Sequence, residues 1–332
     1  MRPNALYFPY INLPQSQWLY AMALYWDRIS SIVPREFLDH PERLTPFMRG
    51  LVTEELVQQI IPAQYVHEMN PTFEDSFLKY IENRLAYRAK LQVNEKDCRP
   101  MLIHMEKIGS ISKELEKMHV LKRRDRNWFE AVPWVGSAFM AYLASCLGLN
   151  PQVNAQPVTD NLAAYRILGG LGRMAKPKYE LRQIRAREVV LEKVLPVPSK
   201  DFDIPKLVRF KRRHFNELQK FRNRIESVCH DLTNRPIYDE DQVKFKAAEL
   251  KDEAEIIASR LRGSWEEIVF RDFLPVPSAG LTLMTANTNP TIIAGSLTLA
   301  ASIYQFASSV RNAKDLRDKP LAYAALATKT LC

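Results

Sequence analysis

The sequence predicts an α/β protein: an N-terminal body on a mostly parallel sheet begun by a βαβ unit, then a long antiparallel helical hairpin and a helical C-terminal region. Three observations predict this. The first 33 residues have the pattern strand, helix, strand. Two segments with heptad-like apolar spacing follow one another between residues 203 and 261. A long stretch without charged residues comes after them.

The N-terminal segment is the clearest. ALYFPYI is a short apolar run bounded by prolines, which is typical of a strand, and SQWLYAMALYWD follows with Ser16 as a helix cap. Every residue from Trp18 to Trp26 is apolar or aromatic, so this helix is expected to be buried on all sides. RISSIVP, closed by Pro34, predicts a second strand parallel to the first.

Elements continue to alternate as far as residue 200, which predicts an α/β body over residues 1–200. Helices are predicted in PERLTPFMRGLVTEE, FEDSFLKYIENRLAYRAKLQ, SISKELEKMHVLKR and WVGSAFMAYLASCLGL. Extended segments or strands are predicted in LVQQIIPAQYV, MLIHMEKIG and REVVLEKVLPV.

Residues 201–272 predict an antiparallel helical hairpin with coiled-coil-like spacing. Asp203 caps its first helix, and Asp239 with Gln242 resembles a capping box for the second. Apolar residues recur at intervals of three and four on both helices. They are Leu207, Leu218, Phe221, Ile225, Val228 and Leu232 on the first, and Val243, Ala247, Leu250, Ala254, Ile257 and Leu261 on the second.

Charge and proline support the hairpin. Its first helix is rich in basic residues and its second in acidic residues, so each helix is expected to complement the other. LPVPS occurs on both sides, at residues 195–199 and 274–278, as a stiff extended segment where the chain leaves the body and where it returns.

Residues 273–332 predict an uncharged helical segment and a C-terminal helix that pack back on the body. Phe273 to Val310 contains no charged residue. Serines and a glutamine dilute the apolar run, which favours a buried helix in a protein core. Membrane contact through residues 290–310 is the alternative, because the run is long enough to cross a bilayer.

Composition points to a folded cytoplasmic protein, with 46% hydrophobic and 26% charged residues. The four cysteines have neither metal-ligand nor disulfide-framework spacing, and the N-terminus lacks the pattern of a signal peptide. The net charge of +9 is diffuse apart from KRRDR (residues 122–126) and residues 166–187. We interpret these two clusters as solvated faces, with contact to nucleic acid as the alternative.

No catalytic motif is present. The sequence has no GxxxxGK[ST], GxGxxG, HExxH or GxSxG, and it predicts neither a metal nor a cofactor. Because ligands favour the carboxyl ends of strands in α/β sheets, we predict a pocket from the residues expected there. These are Tyr10, Arg35, His104, Glu106, Lys107 and Asp160.

His104 and Glu106 alternate within MLIHMEKIG and are expected on one face of a strand. There they could act as ligands or as an acid/base pair. The alternative is that they are polar residues at an exposed sheet end.

Four segments carry a resemblance to a known family: LYFPYINLP, LYWDRISSIVP, LPVPSKDFDIPKLVRFKRRHFNELQKFRNRI and PLAYAALATKTL. Together they resemble a family of bacterial proteins known as a domain of unknown function, and the resemblance spans most of the chain. It implies a bacterial, intracellular protein and supplies no catalytic residues.

The absence of catalytic motifs beside a well-marked hairpin predicts a non-enzymatic interaction or assembly protein. It would bind a protein partner, or itself, through a charged helical arm. The basic residues expected to carry that contact are Arg209, Arg212, Arg213, Lys220 and Arg224. A membrane-active effector, for example in phage defence, is one alternative, and an enzyme acting on nucleic acid or a nucleotide is a second.

Overall fold

The computed structural model describes residues 4–65, 73–90, 99–170, 178–196, 203–234, 239–261 and 316–331. The chain divides into two compact units, Met1–Ile184 and Arg185–Cys332. In their described parts, the first unit contains both β-sheets and the second is helical.

The strands of the first unit are β1 (Asn4–Tyr7), β2 (Ile29–Ile32), β3 (Val57–Ile60), β4 (Met101–His104), β5 (Leu121–Arg123), β6 (Trp128–Ala131) and β7 (Ala155–Val158). Its helices are α1 (Gln17–Tyr25), α2 (Glu36–Asp39), α3 (Pro46–Thr53), α4 (Phe73–Lys90), α5 (Met105–Ile108), α6 (Ser112–Lys117), α7 (Pro133–Leu149) and α8 (Leu162–Gly170). Helix α9 (Lys178–Val194) contains the boundary between the units. The second unit continues with α10 (Ile204–Arg213), α11 (Phe215–Thr233), α12 (Glu240–Leu261) and α13 (Ala322–Leu331).

Four strands form a parallel sheet in the order β3-β2-β1-β7. The predicted βαβ unit is confirmed, because β1 and β2 pair in parallel and α1 connects them. The Leu19 N–H donates to Ser16 Oγ over 3.4 Å at the start of α1. The helix is buried all round, from Trp18 through Trp26, as its continuous apolar run predicts.

Helix α7, the predicted uncharged helix, organises the core of the first unit. It packs against β1, β4 and β7 and against helices α4 and α8. Near its end, a Cβ atom on Gly148 would meet the carbonyl oxygen of Ala155 on β7. A glycine is therefore needed where the helix approaches the edge strand of the parallel sheet.

Strands β4, β6 and β5 form a separate antiparallel sheet, so the described sheets are not all one parallel layer. Two predictions fail in this region. MLIHMEKIG is a strand only as far as His104, because the His104 Nδ1 accepts the Glu106 N–H and begins helix α5. The helix predicted in SISKELEKMHVLKR ends at Lys117, and after His119 (φ 57°) the chain enters β5.

The strand predicted in REVVLEKVLPV is also wrong, because its residues 187–194 form the second half of α9. Its β-branched valines favour a strand locally. However, Ala186, Val190 and Val194 are buried at intervals of four, together with Leu191. Burial at helical spacing therefore decides the conformation over local preference.

In the second unit, helix α13 packs against α10, α11 and α12. The apolar stripes predicted for the hairpin segments are buried, apart from a partly exposed Leu261. Asp203 caps α10 as predicted, since its Oδ1 accepts the Lys206 N–H over 2.8 Å. Asp239 Oδ1 likewise accepts the Asp241 N–H over 2.9 Å at the start of α12.

Several predictions fall outside the described residues. They include the second LPVPS, most of the first, and the whole uncharged stretch over residues 273–310. The choice between a buried and a membrane-inserting helix there stays open as a prediction. Within the described ranges, no helix combines the length and the apolar character needed to cross a membrane.

Candidate functional site

The carboxyl edge of the parallel sheet receives three of the predicted site residues. Tyr10 follows β1, Arg35 follows β2 and Asp160 follows β7. Strand β1 has β2 on one side and β7 on the other. The strand order therefore changes direction at β1. Such a switch in strand order opens a crevice at the carboxyl ends, which is where α/β sheets commonly bind ligands.

Tyr7 and Asp160 meet across this switch point. The Tyr7 hydroxyl, on a buried side chain, donates to Asp160 Oδ1 over 3.0 Å. Burial, and then the neighbouring carboxylate, raise the pKa of Tyr7, so the phenol stays protonated and holds Asp160 in place. Tyr10, 52% exposed, is close enough to influence the pKa of Tyr7. Tyr10 and Asp160 were predicted from the sequence as site residues, and Tyr7 was not. Its position as the last residue of β1 would have indicated it.

Arg35, His104 and Glu106 are also brought together, beside Glu36. The Arg35 N–H donates to Glu106 Oε2 over 2.7 Å and the Glu106 N–H donates to His104 Nδ1 over 3.2 Å. His104 Nε2 lies 3.4 Å from Glu36 Oε1. Contrary to the prediction, His104 and Glu106 do not share one face of a strand, because Glu106 lies on α5.

This cluster is built to hold neighbouring elements together. His104 is 3% exposed, and burial lowers its pKa more than the charges of Glu36 and Glu106 raise it. Its Nδ1 accepts a hydrogen bond, so the neutral ring carries its proton on Nε2, facing Glu36. Glu36 Oε2 also accepts from Arg43 over 2.8 Å. His104 therefore has no free lone pair for base catalysis, and within the described residues its Nε2 and Glu36 Oε1 are buried without a hydrogen-bond partner. The bond that joins neighbouring elements here is the one from the Arg35 N–H to Glu106 on α5.

Among the predicted site residues, Lys107 has the pKa that is shifted furthest from its usual value. It is 8% exposed, and burial lowers its pKa to about 7. Within the described ranges it forms no ion pair or hydrogen bond. Its amine is thus partly neutral near pH 7, unlike that of an exposed lysine.

Replacing Lys107 by methionine is expected to stabilise the first unit most at low pH. A lysine with a folded pKa of about 7 and an unfolded pKa of about 10.4 destabilises the fold fully below pH 7. That penalty declines as the pH rises from about 7 to about 10.4. We expect Lys107→Met to raise the Tm by about 3 °C or more at pH 6, with a smaller gain at pH 9.5.

Thermal unfolding of both proteins across this pH range measures the effect. Lys113→Met, at an exposed position on α6, is the control and should give no pH-dependent gain. A Lys107→Met gain that is independent of pH would contradict a buried, uncompensated charge.

The basic residues predicted to form the interaction arm separate into different environments. Arg209 and Arg213 line a pocket with residues of α13, whereas Arg224 lines a groove between α11 and α12. Lys220 forms a 2.7 Å ion pair with Asp318. Arg212 is exposed and lines neither cavity.

The groove between α11 and α12 has a volume of about 670 Å³. Val228 and Leu232 provide its buried apolar part, and Phe245 lies within it at 53% exposure. Its charged lining has four carboxylates against two cations: Asp231, Asp239, Asp241, Glu249, Arg224 and Lys246. Phe245 was not predicted as a site residue. It lies between Val243 and Ala247 of the buried stripe, and this spacing places it on the exposed side of α12.

The predicted complementarity between the helices is only partly visible in this groove. Arg224 of α11 counteracts the pKa rise that burial causes at Glu253 of α12. Other acids of α12 are paired within their own helix, Asp241 with Lys244 over 3.0 Å and Glu249 with Lys246 over 2.6 Å. Exposed pairs of this kind contribute little stability, so the groove stays available to a partner.

The two basic clusters also differ. Lys122, Arg123 and Arg124 are exposed, as expected of a solvated face. Arg187, in the second cluster, is 7% exposed and donates from Nε and Nη2 to both carboxylate oxygens of Glu226. That residue is therefore part of the core of the second unit.

The described part of the chain contains no group of three or more His, Cys, Asp or Glu side chains placed to hold a metal. Comparisons with protein-family models, curated proteins and solved structures give no match. Membership of the bacterial family that the four segments resemble therefore stays a prediction.

Proposed function

We propose that the protein is an interaction component that binds a basic segment of a protein partner through the groove between α11 and α12. One observation carries the proposal. Phe245 is 53% exposed inside a groove whose lining has more carboxylates than cations. A large exposed aromatic side chain surrounded by charged groups is the composition of a binding hot spot with a polar rim.

The interaction surface is an antiparallel helical hairpin. This is supported by the order in which the two helices contribute residues. Asp231 and Leu232, near the end of α11, line the groove with Asp241 near the start of α12. Arg224, earlier on α11, acts electrostatically on Glu253, later on α12.

Phe245 provides the apolar anchor. Val243 and Ala247 of the same helix are buried, whereas Phe245 projects away from that stripe. Covering an exposed phenylalanine is favourable by about 25 cal/mol for each Å² of apolar surface removed from water. The partner segment therefore presents an apolar side chain toward Phe245.

The groove acids select the charge of that segment. Asp231, Asp239, Asp241 and Glu249 outnumber Arg224 and Lys246 along the lining. Complementary charge at an interface speeds association and disfavours partners of like charge. A lysine- or arginine-bearing segment fits this lining, and a nucleic-acid backbone does not.

Phe245→Ala is expected to weaken partner binding by about thirtyfold, the effect of removing one aromatic hot spot. Chemical cross-linking in a cell lysate, followed by mass spectrometry, would identify proteins captured by the wild-type full chain. Purified candidates would then be titrated against wild type and variant. Phe215→Ala is the matched control, because Phe215 is 52% exposed and lies outside the groove lining.

A partner that binds the two alanine variants equally well would overturn the proposal. So would a partner whose binding is unaffected when Asp241 is reversed to lysine. Sedimentation of the purified chain separates self-association, because a dimer lost in Phe245→Ala would identify a second copy as the occupant.

The alternative of a membrane-active effector rests on residues 273–310, which lie outside the described residues. It stays a prediction. The alternative of an enzyme acting on a nucleotide has one supporting feature, the basic pocket lined by α10 and α13.

A further inference from the structure

The second unit has a cavity of about 390 Å³ lined by α10, α13 and Arg317. Five of its lining residues are cationic: Lys206, Arg209, Arg213, Arg317 and Lys329. Among the lining residues that the structure describes, none is an aspartate or a glutamate. The groove between α11 and α12 has the opposite excess, so this cavity is a distinct electrostatic environment.

Four of these five cations lack a counter-charge in the part of the chain that the structure describes. Within the described ranges, the side chains of Lys206, Arg209, Arg213 and Arg317 form no ion pair or hydrogen bond. Lys329 donates to the carbonyl oxygen of Leu261 over 2.9 Å, which positions its charge without neutralising it. Like charges gathered around one cavity repel each other, and an anion between them removes that repulsion.

Phe210, which lines the cavity, packs against two other rings. Phe210 is 3% exposed, and its ring lies 4.8 Å from the His214 ring and 5.2 Å from the Tyr323 ring. Arg213 and Arg317 both lower the pKa of His214, after burial and against the carboxylate of Glu217, so both charges lie near the His214 ring. The cations are therefore carried by elements whose relative positions are set by buried aromatic contacts.

We propose that this cavity binds a small organic polyphosphate. Three of its cations are arginines, whose planar forks donate paired hydrogen bonds to phosphate oxygens. A phosphate ester carries about −1.5 to −2 charges near neutral pH, so about three phosphates balance five cations. A volume of about 390 Å³ is in the range of small-molecule sites and well above that of a single inorganic phosphate.

A small polyphosphate fits the cavity better than a nucleic-acid strand does. Single-strand binding sites combine cations with exposed aromatic rings on which bases stack. Phe210 and His214, which contribute the rings in the described lining of this cavity, are both buried. The inference is independent of the proposed partner groove, because the two cavities share no lining residue.

Isothermal titration calorimetry of the full chain with sodium tripolyphosphate tests the proposal. We expect saturable binding that weakens as salt rises, because the contacts are charge pairs. Arg209→Glu and Arg213→Glu should each weaken binding at least about tenfold, since each removes charge-assisted hydrogen bonds. Arg212→Glu is the matched control on the same helix, and it should change the affinity by less than about threefold.

Two further ligands identify the source of the phosphates. A nucleoside triphosphate that binds more tightly than tripolyphosphate indicates a nucleotide. Preferential binding to vesicles containing a polyphosphorylated inositol lipid indicates a lipid headgroup. Either result supports the proposal if Arg213→Glu weakens the binding at least about tenfold and Arg212→Glu by less than about threefold.

Three results would overturn the inference: no saturable binding of tripolyphosphate at low salt, equal losses in Arg212→Glu and Arg213→Glu, or preferential binding of a single-stranded oligonucleotide. Loss of folding is distinguished by Arg213→Ala, which introduces no new charge. Removing one of five mutually repelling cations should leave the Tm of that variant unchanged or raised.

Discussion

Trp26→Ala is expected to lower the free energy of unfolding of the first unit by about 3–5 kcal/mol. Trp26 is 1% exposed, directly follows α1, and meets Tyr25 edge to face with a ring distance of 5.2 Å. Its removal leaves a cavity beside the helix that connects β1 and β2. A loss of this size is a large fraction of the about 5–15 kcal/mol that stabilises a typical domain.

Urea unfolding followed by far-ultraviolet circular dichroism measures the change. Tyr87→Ala is the control, because Tyr87 is 55% exposed on α4 and its replacement should cost less than about 0.5 kcal/mol. If Trp26→Ala lowers the free energy of unfolding by less than about 1 kcal/mol, neighbouring side chains fill the cavity after truncation. That result would contradict tight packing around α1.

Arg187→Met is expected to destabilise the second unit by about 3 kcal/mol. Breaking a buried ion pair from one side costs about 3–5 kcal/mol, because the remaining charge is left without a partner. The lower end applies, since the Glu226 side chain is 26% exposed and water can partly solvate it. The same urea unfolding measurement applies to this variant.

The double variant Arg187→Met/Glu226→Leu separates loss of the pair from loss of packing. It should recover most of the stability, because apolar side chains of similar volume replace buried ion pairs at little cost. Arg185→Met is the matched control. Arg185 is 30% exposed and pairs with Glu240 over 3.1 Å, so its loss should cost about 1 kcal/mol or less. Equal losses in the free energy of unfolding for Arg185→Met and Arg187→Met would show that burial does not determine the cost of breaking the ion pair.

The elements predicted well from the sequence are those whose own burial pattern is decisive. The unbroken apolar run from Trp18 to Trp26 predicts a helix buried on all sides, and the apolar residues of α11 and α12 recur at the helical period. The first helix of the predicted hairpin is nevertheless divided at His214 into α10 and α11. The predicted strand in REVVLEKVLPV failed because β-branched residues favour a strand locally, whereas contacts distant in sequence favour a helix. MLIHMEKIG was misassigned after His104 because the hydrogen bond from the Glu106 N–H to His104 cannot be read from apolar spacing.

The candidate sites were less accessible from the sequence because they depend on distant segments. Arg209 and Arg213 were identified as basic residues of an arm, but their cavity exists only because α13 brings Lys329 beside them. Asp160 could be placed after a strand, whereas its hydrogen bond to Tyr7 requires β7 to lie next to β1. Residue types were therefore predictable in part, and the pairings between segments were not.

The pairing of β1 with β7 also determines when the first unit can be completed during synthesis. Asn4–Tyr7 are synthesised before their neighbours Ala155–Val158, which follow both remaining parallel strands, the antiparallel sheet and α7. Pairing between segments so far apart in the chain closes a long loop and slows folding. Until β7 is synthesised, one edge of β1 lacks its native neighbour, and the hydrogen bond between Tyr7 and Asp160 cannot form. A nascent chain that stops before residue 155 thus exposes an unpaired strand edge of the kind that chaperones protect from aggregation.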